Sequence, residues 1–164
     1  MKQTRLRRVS LRRAGLSRAQ RERLDDLARA VVMIRAGATL VPVETRRGWA
    51  WWGRCERCMR ERFLQWCHVH SQGSTPALKW EPDNAFAGCA ECHVFGRNAW
   101  HRDVSSAMTW LESKRGIDAV ERLALRKRTV RKADPSAWRL WLEAEVKRTA
   151  PWAWERLFSE GSTA

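Results

Sequence analysis

The sequence has no apolar stretch near the ~18 residues that a membrane-spanning helix requires, which excludes an integral membrane protein. No apolar segment follows the charges near its start, because Arg12 and Arg13 interrupt the only candidate; this excludes a secretory signal peptide. Acidic residues are few: 18 Asp and Glu stand against 32 Lys and Arg, a formal net charge of +14. The five cysteines are an odd number, which argues against a closed disulfide framework. We therefore expect a cytoplasmic protein whose reduced cysteines can bind metal.

The composition is that of a globular protein with a strongly basic surface. The chain has 164 residues, of which 44% are hydrophobic, enough for one compact domain, alone or with an arm. This basic balance predicts an acidic macromolecular partner, with nucleic acid first and an anionic membrane surface second.

Positive charge is concentrated at the start of the chain. Residues 1–23 carry nine Lys and Arg side chains and a single acid, Glu22. We interpret this segment as a basic N-terminal arm that lies along DNA phosphates, with a solvated charge run and an organellar transit peptide as alternatives. Its candidate DNA-binding residues are Arg5, Arg7, Arg8, Arg12 and Arg13.

Hydrophobic spacing and turn residues divide the next hundred residues into two parts. Ser17 and Gln20 have the spacing of a capping box and predict a helix over about 18–36. Residues 24–54 contain most of this helix and the connecting segment that follows it, part of which is expected to be extended. Gly and Pro interrupt the segment 55–103, which predicts short strands and loops followed by a helix over about 90–101.

The C-terminal part, residues 104–160, is predicted to be helical, with a polar tail over 161–164. Ser105 or Ser106 is expected to cap its first helix, which ends near Gly116. Asp134 followed by Pro135 opens a later helix. The apolar stripes of the helices over 18–36 and 135–150 either close the core or form the faces of a homodimer.

Two Cys-x-x-Cys pairs, separated by thirty residues, are the most specific motif in the sequence. They are formed by Cys55 and Cys58, and by Cys89 and Cys92. Each pair can direct two thiolates at one ion, so together they complete a tetrahedral structural zinc site. Redox-active or ordinary buried thiols are the alternative. A metal here would pin both ends of the intervening segment.

The segment between the pairs contains a known order of polar residues. His68 is followed sixteen residues later by Asn84, and His93 directly follows the last cysteine. This order resembles that of the HNH nucleases, also called ββα-metal or His-Me finger enzymes, many of which carry two Cys-x-x-Cys pairs around it. The resemblance implies an α+β fold with a small zinc-stapled ββα-metal core over 55–103. In that core a β-hairpin carries His68 and a helix carries His93, with α-helices on both flanks.

More narrowly, the stretch from Cys55 to about Leu123 resembles the NinG (Rap) recombination proteins of lambdoid phages. The resemblance is carried by PALKWEPDN over 76–84 and GCAEC over 88–92, together with Arg97, Asn98 and the segment from Leu111 to Ala119. It implies a metal-dependent endonuclease directed to branched DNA such as Holliday junctions or D-loops, in the cytoplasm of a phage-infected bacterial cell. The zinc-ribbon-like N-terminal region of that family is absent here.

The resemblance also implies a role for each residue. His68 is the general base, Asn84 supports the turn around it, and His93 binds a catalytic Mg²⁺ or Mn²⁺. A neutral imidazole can take a proton from water, and a divalent ion can stabilise the leaving 3′ oxygen. The plainer alternatives are a turn residue for Asn84 and a packed or surface histidine for His68.

One position departs from the HNH pattern. Cys67 stands where an acidic metal ligand usually precedes the base, and we favour a plain buried thiol over a soft metal ligand. For His70 and His101 we expect surface positions, with phosphate or metal binding as the alternative.

The expected partner is DNA, which is bound through its phosphates, and no interaction with a membrane is expected. Beyond the arm, the candidate contacts are Arg54, Arg57, Arg97 and Arg102. The chain has eleven Trp and no Tyr. Stacking on unpaired bases is considered for Trp49, Trp51, Trp52 and Trp100, against a role in the core. The competing function is that of a zinc-stapled nucleic-acid-binding protein without catalysis.

Overall fold

A computed structural model describes residues 16–45, 48–129 and 132–159. Helix α1 precedes an antiparallel sheet of strand order β1-β2-β3-β4, and helices α2 to α5 follow. The strands are β1 Thr39–Pro42, β2 Trp49–Arg54, β3 Glu61–His68 and β4 Ala85–Cys89. The helices are α1 Arg18–Arg35, α2 Val104–Arg115, α3 Ile117–Thr129, α4 Pro135–Thr149 and α5 Pro151–Phe158. The predicted α+β class is confirmed. In the part of the chain described, no helix is long and apolar enough to cross a membrane.

Local sequence sets both ends of α1, as predicted. The Ser17 hydroxyl accepts the N–H of Gln20 (3.1 Å), and Gln20 Oε1 accepts the N–H of Ser17 (2.8 Å), which completes the capping box. At the other end the chain turns through Gly37, whose φ of 71° is a left-handed value that favours glycine. Because α1 begins at Arg18, residues 18–23 of the predicted arm belong to this helix. The candidate DNA contacts of the arm lie outside the described residues: Arg5, Arg7, Arg8, Arg12 and Arg13.

The C-terminal helices form where they were predicted, although one cap was wrong. Asp103, and neither Ser105 nor Ser106, caps α2, and its carboxylate accepts the Ser106 N–H at 3.0 Å. The Asp103 carboxylate satisfies a free N–H and carries the charge that a helix N-terminus favours. Asp134 caps α4 as predicted, and Pro151 begins α5 after α4 has ended.

The helix predicted over 90–101 was wrong. Residues Glu91–Phe95 form one π-helical turn, which the Gly96 N–H closes by donating to the Glu91 carbonyl (2.8 Å). Gly96 then adopts an extended conformation that ends the turn. A Cβ at this glycine would lie 2.6 Å from the Glu91 carbonyl oxygen, so the close approach requires glycine. A wide turn of this kind takes the place of the regular α-helix that was predicted.

Hydrophobic clusters lie on both sides of the sheet. The larger one packs α1, α4 and α5 against the face that carries Leu64 and Ala87. The smaller one packs α2 and α3 against the opposite face, around Cys67 and Phe86. The C-terminal half of β3 and the whole of β4 are therefore covered on both faces. The apolar stripes of α1 and α4 close the larger cluster and do not form the proposed dimer faces.

The tryptophans are divided between core and surface. Trp51 and Trp100 are only 7% and 3% exposed, which contradicts the idea that either one stacks on DNA bases. Trp49 and Trp52 are half-buried on β2. Trp141 is 42% exposed on α4.

Candidate metal centre and histidine sites

The two Cys-x-x-Cys pairs come together in space. Cys55 follows β2, Cys58 lies in the turn before β3, Cys89 ends β4 and Cys92 lies in the π-helical turn. Their four Sγ atoms all lie within 4.8 Å of one another, and those of Cys58 and Cys89 are 3.9 Å apart. Tetrahedral zinc with Zn–S bonds of about 2.3 Å sets sulfur atoms about 3.8 Å apart. The cluster therefore has the donors and the size to hold a zinc ion, as predicted.

Backbone hydrogen bonds shape the turn that presents the first pair. The Cys55 N–H donates to the Arg60 carbonyl, and the Met59 N–H donates to the Cys55 carbonyl, both at 2.9 Å. Met59 has a φ of 60°, a left-handed value that is uncommon for a residue other than glycine. The Cys89 N–H donates to Cys55 Sγ at 3.2 Å and so joins β4 to this turn. These hydrogen bonds hold the turn in the conformation that places the Cys55 sulfur next to β4.

The thiols of the cluster differ in acidity. Burial raises the pKa of Cys55, against N–H groups that donate to its sulfur. Burial also raises the pKa of Cys92, and the neighbouring sulfurs add to this effect. For Cys58, hydrogen bonds from the Arg60 N–H and the other thiols outweigh burial, so its pKa is lowered. Metal binding at this cluster would require the thiols to lose their protons.

Cys67 is a core residue. Its side chain is fully buried beside Gly88, where an added Cβ would lie 2.8 Å from the Cys67 sulfur. The thiol lies 3.3 Å from the Gln65 carbonyl, and burial raises its pKa strongly. These surroundings suit the buried thiol that we favoured from the sequence and offer no support for a metal ligand.

His68 is the last residue of β3 and is 7% exposed. Its Nε2 lies 3.0 Å from the Lys79 carbonyl oxygen, which can only accept, so Nε2 carries the proton and Nδ1 carries the lone pair. The side-chain amide of Gln72 lies 3.3 Å from Nδ1. Burial lowers the pKa of His68, although the Lys79 carbonyl and Asp25 oppose this. The imidazole is therefore neutral at pH 7, with an acceptor nitrogen on its Gln72 side.

The carbonyl that holds His68 is itself fixed by α1. Asp25 accepts hydrogen bonds from the Lys79 ammonium group and the Trp80 indole N–H, both at 2.8 Å. The Trp66 ring packs on the imidazole, with the ring centroids 4.1 Å apart. The role of Asp25 was missed, because fifty-four residues separate it from Lys79.

Asn84 is fully buried and clamps the backbone two residues after His68. Its Oδ1 accepts the His70 N–H (2.8 Å), and its Nδ2 donates to the carbonyls of His70 and Leu78 (3.1 Å each). The Asn84 carbonyl accepts the Val69 N–H at 2.7 Å. Asn84 thus fixes the exit of β3 from both its side chain and its backbone. These hydrogen bonds join Asn84 to the backbone that follows His68.

His93 forms a second histidine site together with His101 and Gln65. His93 Nδ1 lies 2.8 Å from Gln65 Oε1, and the Nε2 atoms of the two histidines are 3.0 Å apart. Because Gln65 Oε1 can only accept, His93 carries its proton on Nδ1 and its lone pair on Nε2. Burial lowers the pKa of His93, as do the neighbouring His101 and His68. The contact with His101, eight residues away, was not predicted.

The two histidine sites lie on different faces of β3. Side chains alternate along a strand, so Gln65, which contacts His93, faces away from the side of His68 and Trp66. No contact joins the rings of His68 and His93 among the described residues. They are still close enough for His68 to lower the pKa of His93.

The predicted arginine contacts have different surroundings. Arg54, Arg97 and Arg102 are exposed, whereas Arg57 is half-buried and donates to the Cys92 carbonyl at 3.4 Å. No sequence pattern singled out Arg115, whose guanidinium donates to the carbonyls on either side of Asn84.

Arg115, at the end of α2, braces the segment that carries Asn84. Its Nη1 donates to the Asp83 carbonyl (2.7 Å) and its Nη2 to the Ala85 carbonyl (2.5 Å). Burial lowers the pKa of this guanidinium, against the nearby charges of Glu56 and Asp83. A cavity of about 350 Å³ lies beside it, lined in part by Arg122. This cavity is away from both histidine sites.

Comparisons with protein-family models, with curated proteins and with solved structures gave no match for the chain.

Proposed function

We propose that this protein is a metal-dependent endonuclease of the HNH type that cuts branched DNA. The observation that carries the proposal is the way His68 is held. Its Nε2–H donates to the Lys79 carbonyl, so Nδ1 carries the lone pair, which faces the Gln72 amide, and Asn84 clamps the adjoining backbone. A neutral, oriented imidazole is what a general base requires. Nuclease identity rests in addition on the resemblance of 55–123 to the NinG proteins.

His93 and His101 would hold the catalytic ion, with Gln65 orienting the ring of His93. Two imidazole nitrogens 3.0 Å apart have a spacing that one ion can bridge. Imidazole suits zinc, nickel and related ions, whereas Mg²⁺ favours oxygen donors. A divalent ion bound here would supply Lewis-acid stabilisation of the leaving oxygen. We therefore expect a softer ion to support cleavage better than the Mg²⁺ or Mn²⁺ inferred from the resemblance.

The zinc cluster and the basic surface complete the proposal. Zinc at the four cysteines would fix the ends of β2 and β4 around β3, which carries both His68 and Gln65. Exposed arginines such as Arg54 and Arg102 would bind phosphates and position the DNA without reading its sequence. Cleavage of a four-way junction generally needs two symmetric cuts, so a homodimer is part of the proposal.

A zinc-stapled nucleic-acid-binding protein without catalysis is the second candidate. The observation that favours it is that His68 is 7% exposed and does not share a face of β3 with His93. Cleavage would require water to reach Nδ1 in place of the Gln72 amide.

The test is cleavage of a four-way junction, a fork and a plain duplex by the wild type, His68→Ala and His70→Ala. Each reaction is run with Mg²⁺, Mn²⁺, Ni²⁺ or no added ion. His70 is the control, because its ring belongs to neither histidine site. We expect His68→Ala to lose about 100-fold or more in cleavage rate, the usual contribution of a general base, with unchanged binding. His70→Ala should retain activity.

The pH dependence adds a second check. Because burial lowers the pKa of His68, the base should stay neutral, and the wild type active, to a pH below the ordinary histidine value of about 6.5. Equal cleavage by the wild type and His68→Ala would overturn the assignment. Tight binding without cutting, with every ion, would select the second candidate.

A further inference from the structure

The open face of the sheet carries an aromatic pair that neither cluster covers. Trp52 on β2 and Phe63 on β3 are direct cross-strand partners. Their ring centroids are 5.0 Å apart, with the ring planes at 80°. Phe63 is 52% exposed and Trp52 is half-buried. We propose that this pair, the aromatic platform, binds unpaired bases of a nucleic acid strand whose backbone continues to His93.

Continuity with the His93 site supports this occupant. Phe63 and Gln65 are two residues apart on β3, so their side chains lie on the same face about 7 Å apart along the strand. Gln65 in turn contacts His93 at 2.8 Å. An extended strand that stacks a base on Phe63 would therefore have a backbone phosphate within reach of His93.

Charge and shape support a nucleic acid over an apolar protein partner. Arg54, exposed, follows Trp52 by two residues on the same strand face. Arg57 lies near His93, through its bond to the Cys92 carbonyl. The chain carries a net charge of +14. Aromatic rings beside cationic side chains form the usual platform for single-stranded nucleic acid, because every base has a stacking face.

The platform rests on the DNA-binding part of the proposed function but not on catalysis. It also adds Phe63, which the sequence alone did not select because no distinctive motif surrounds it. Buried Trp51 and Trp100 are excluded from stacking, and Trp52 with Phe63 takes that role.

The test measures binding by fluorescence anisotropy, without added divalent ion. A labelled oligothymidylate is compared with a fully paired duplex of the same length. The variants are Phe63→Ala, Phe63→Leu and Phe63→Trp, with Trp141→Ala as the control, because Trp141 is an exposed aromatic on α4, across α1 from the sheet. Thermal unfolding checks that each variant is folded.

We expect Phe63→Ala and Phe63→Leu to bind the single strand at least about 5-fold more weakly, the lower bound for one lost stacking contact, with little change on duplex. Phe63→Trp should bind as tightly as the wild type. The slope of log Kd against log salt should stay the same, because a stacking contact releases no counterions. Trp141→Ala should bind both forms as the wild type does.

Several outcomes would overturn the platform. If Phe63→Leu bound the single strand as tightly as the wild type, position 63 would contribute an apolar contact and not ring stacking. Equal binding of the single strand by the wild type and Phe63→Ala would show that Phe63 makes no contact with the bases. In that case the proposed function would still stand if cleavage depended on His68. Failure of the wild type to bind any DNA would overturn both proposals together.

Discussion

Removal of the Asn84 side chain should destabilise the protein by about 3 kcal/mol. Asn84 is fully buried and makes three side-chain hydrogen bonds to the backbone of His70 and Leu78. Each such bond contributes roughly 1 kcal/mol net, and Asn84→Ala would leave three buried backbone groups without that partner. At a urea m-value of about 2 kcal/mol per M, the unfolding midpoint should fall by about 1.5 M.

The assay is urea unfolding followed by circular dichroism, with Asn98→Ala as the matched control. Asn98 is the same residue type in an exposed position, so its substitution should change stability by less than about 0.5 kcal/mol. The m-values of all three proteins should agree. Equal midpoints for Asn84→Ala and Asn98→Ala would refute the clamp.

Asn84→Asp tests the direction of the same hydrogen bonds. The new carboxyl would keep an acceptor for the His70 N–H but would set an oxygen against the carbonyls of His70 and Leu78. Burial and these carbonyls should raise its folded-state pKa above the unfolded value of about 3.9. Stability relative to the wild type should therefore fall as pH rises from about 4 through the folded-state pKa. A pH-independent difference would contradict this geometry.

Two further predictions concern the metal cluster and the brace at Arg115. Cys89→Ser should lower bound zinc, measured by elemental analysis of purified protein, whereas Cys67→Ala should keep one zinc per chain; loss of zinc from both would make Cys67 a ligand. Arg115→Lys should destabilise the protein by about 1–3 kcal/mol in urea unfolding, because one ammonium cannot replace two N–H donors to the Asp83 and Ala85 carbonyls. Unchanged stability would show that these carbonyls need no partner.

Features that depend on neighbouring residues could be predicted from the sequence. The Ser17–Gln20 box and the Asp134 cap were identified because each uses backbone groups two or three residues away. The cysteine cluster was predictable for a similar reason: two residues between paired cysteines suit one tetrahedral ion. The spacing did not show how the two pairs meet, which the antiparallel pairing of β3 and β4 achieves.

Features that depend on residues far apart in the chain could not be predicted. Asp25 reaches the side chains of Lys79 and Trp80 from another element, and Arg115 reaches the carbonyls around Asn84 from the end of α2. Neither contact leaves a local sequence pattern, because its partners lie thirty or more residues away along the chain. The predicted helix over 90–101 failed because the contact of Gly96 with the Glu91 carbonyl replaces helical periodicity with a wider turn.

The faces of β3 were also hidden in the sequence, and they bear directly on function. The run from Leu64 to His68 alternates poorly, because clusters cover both faces of its second half. The sequence pattern of β3 therefore did not indicate that Gln65 faces His93, or that His68 faces α1. Hydrolysis would require a water at His68 Nδ1 to reach a phosphate held at His93 on the other face of β3. The Gln72 amide lies 3.3 Å from Nδ1, so it is the group that an attacking water would displace. Binding of DNA requires no such displacement, and cleavage is therefore the measurement that separates the two candidate functions.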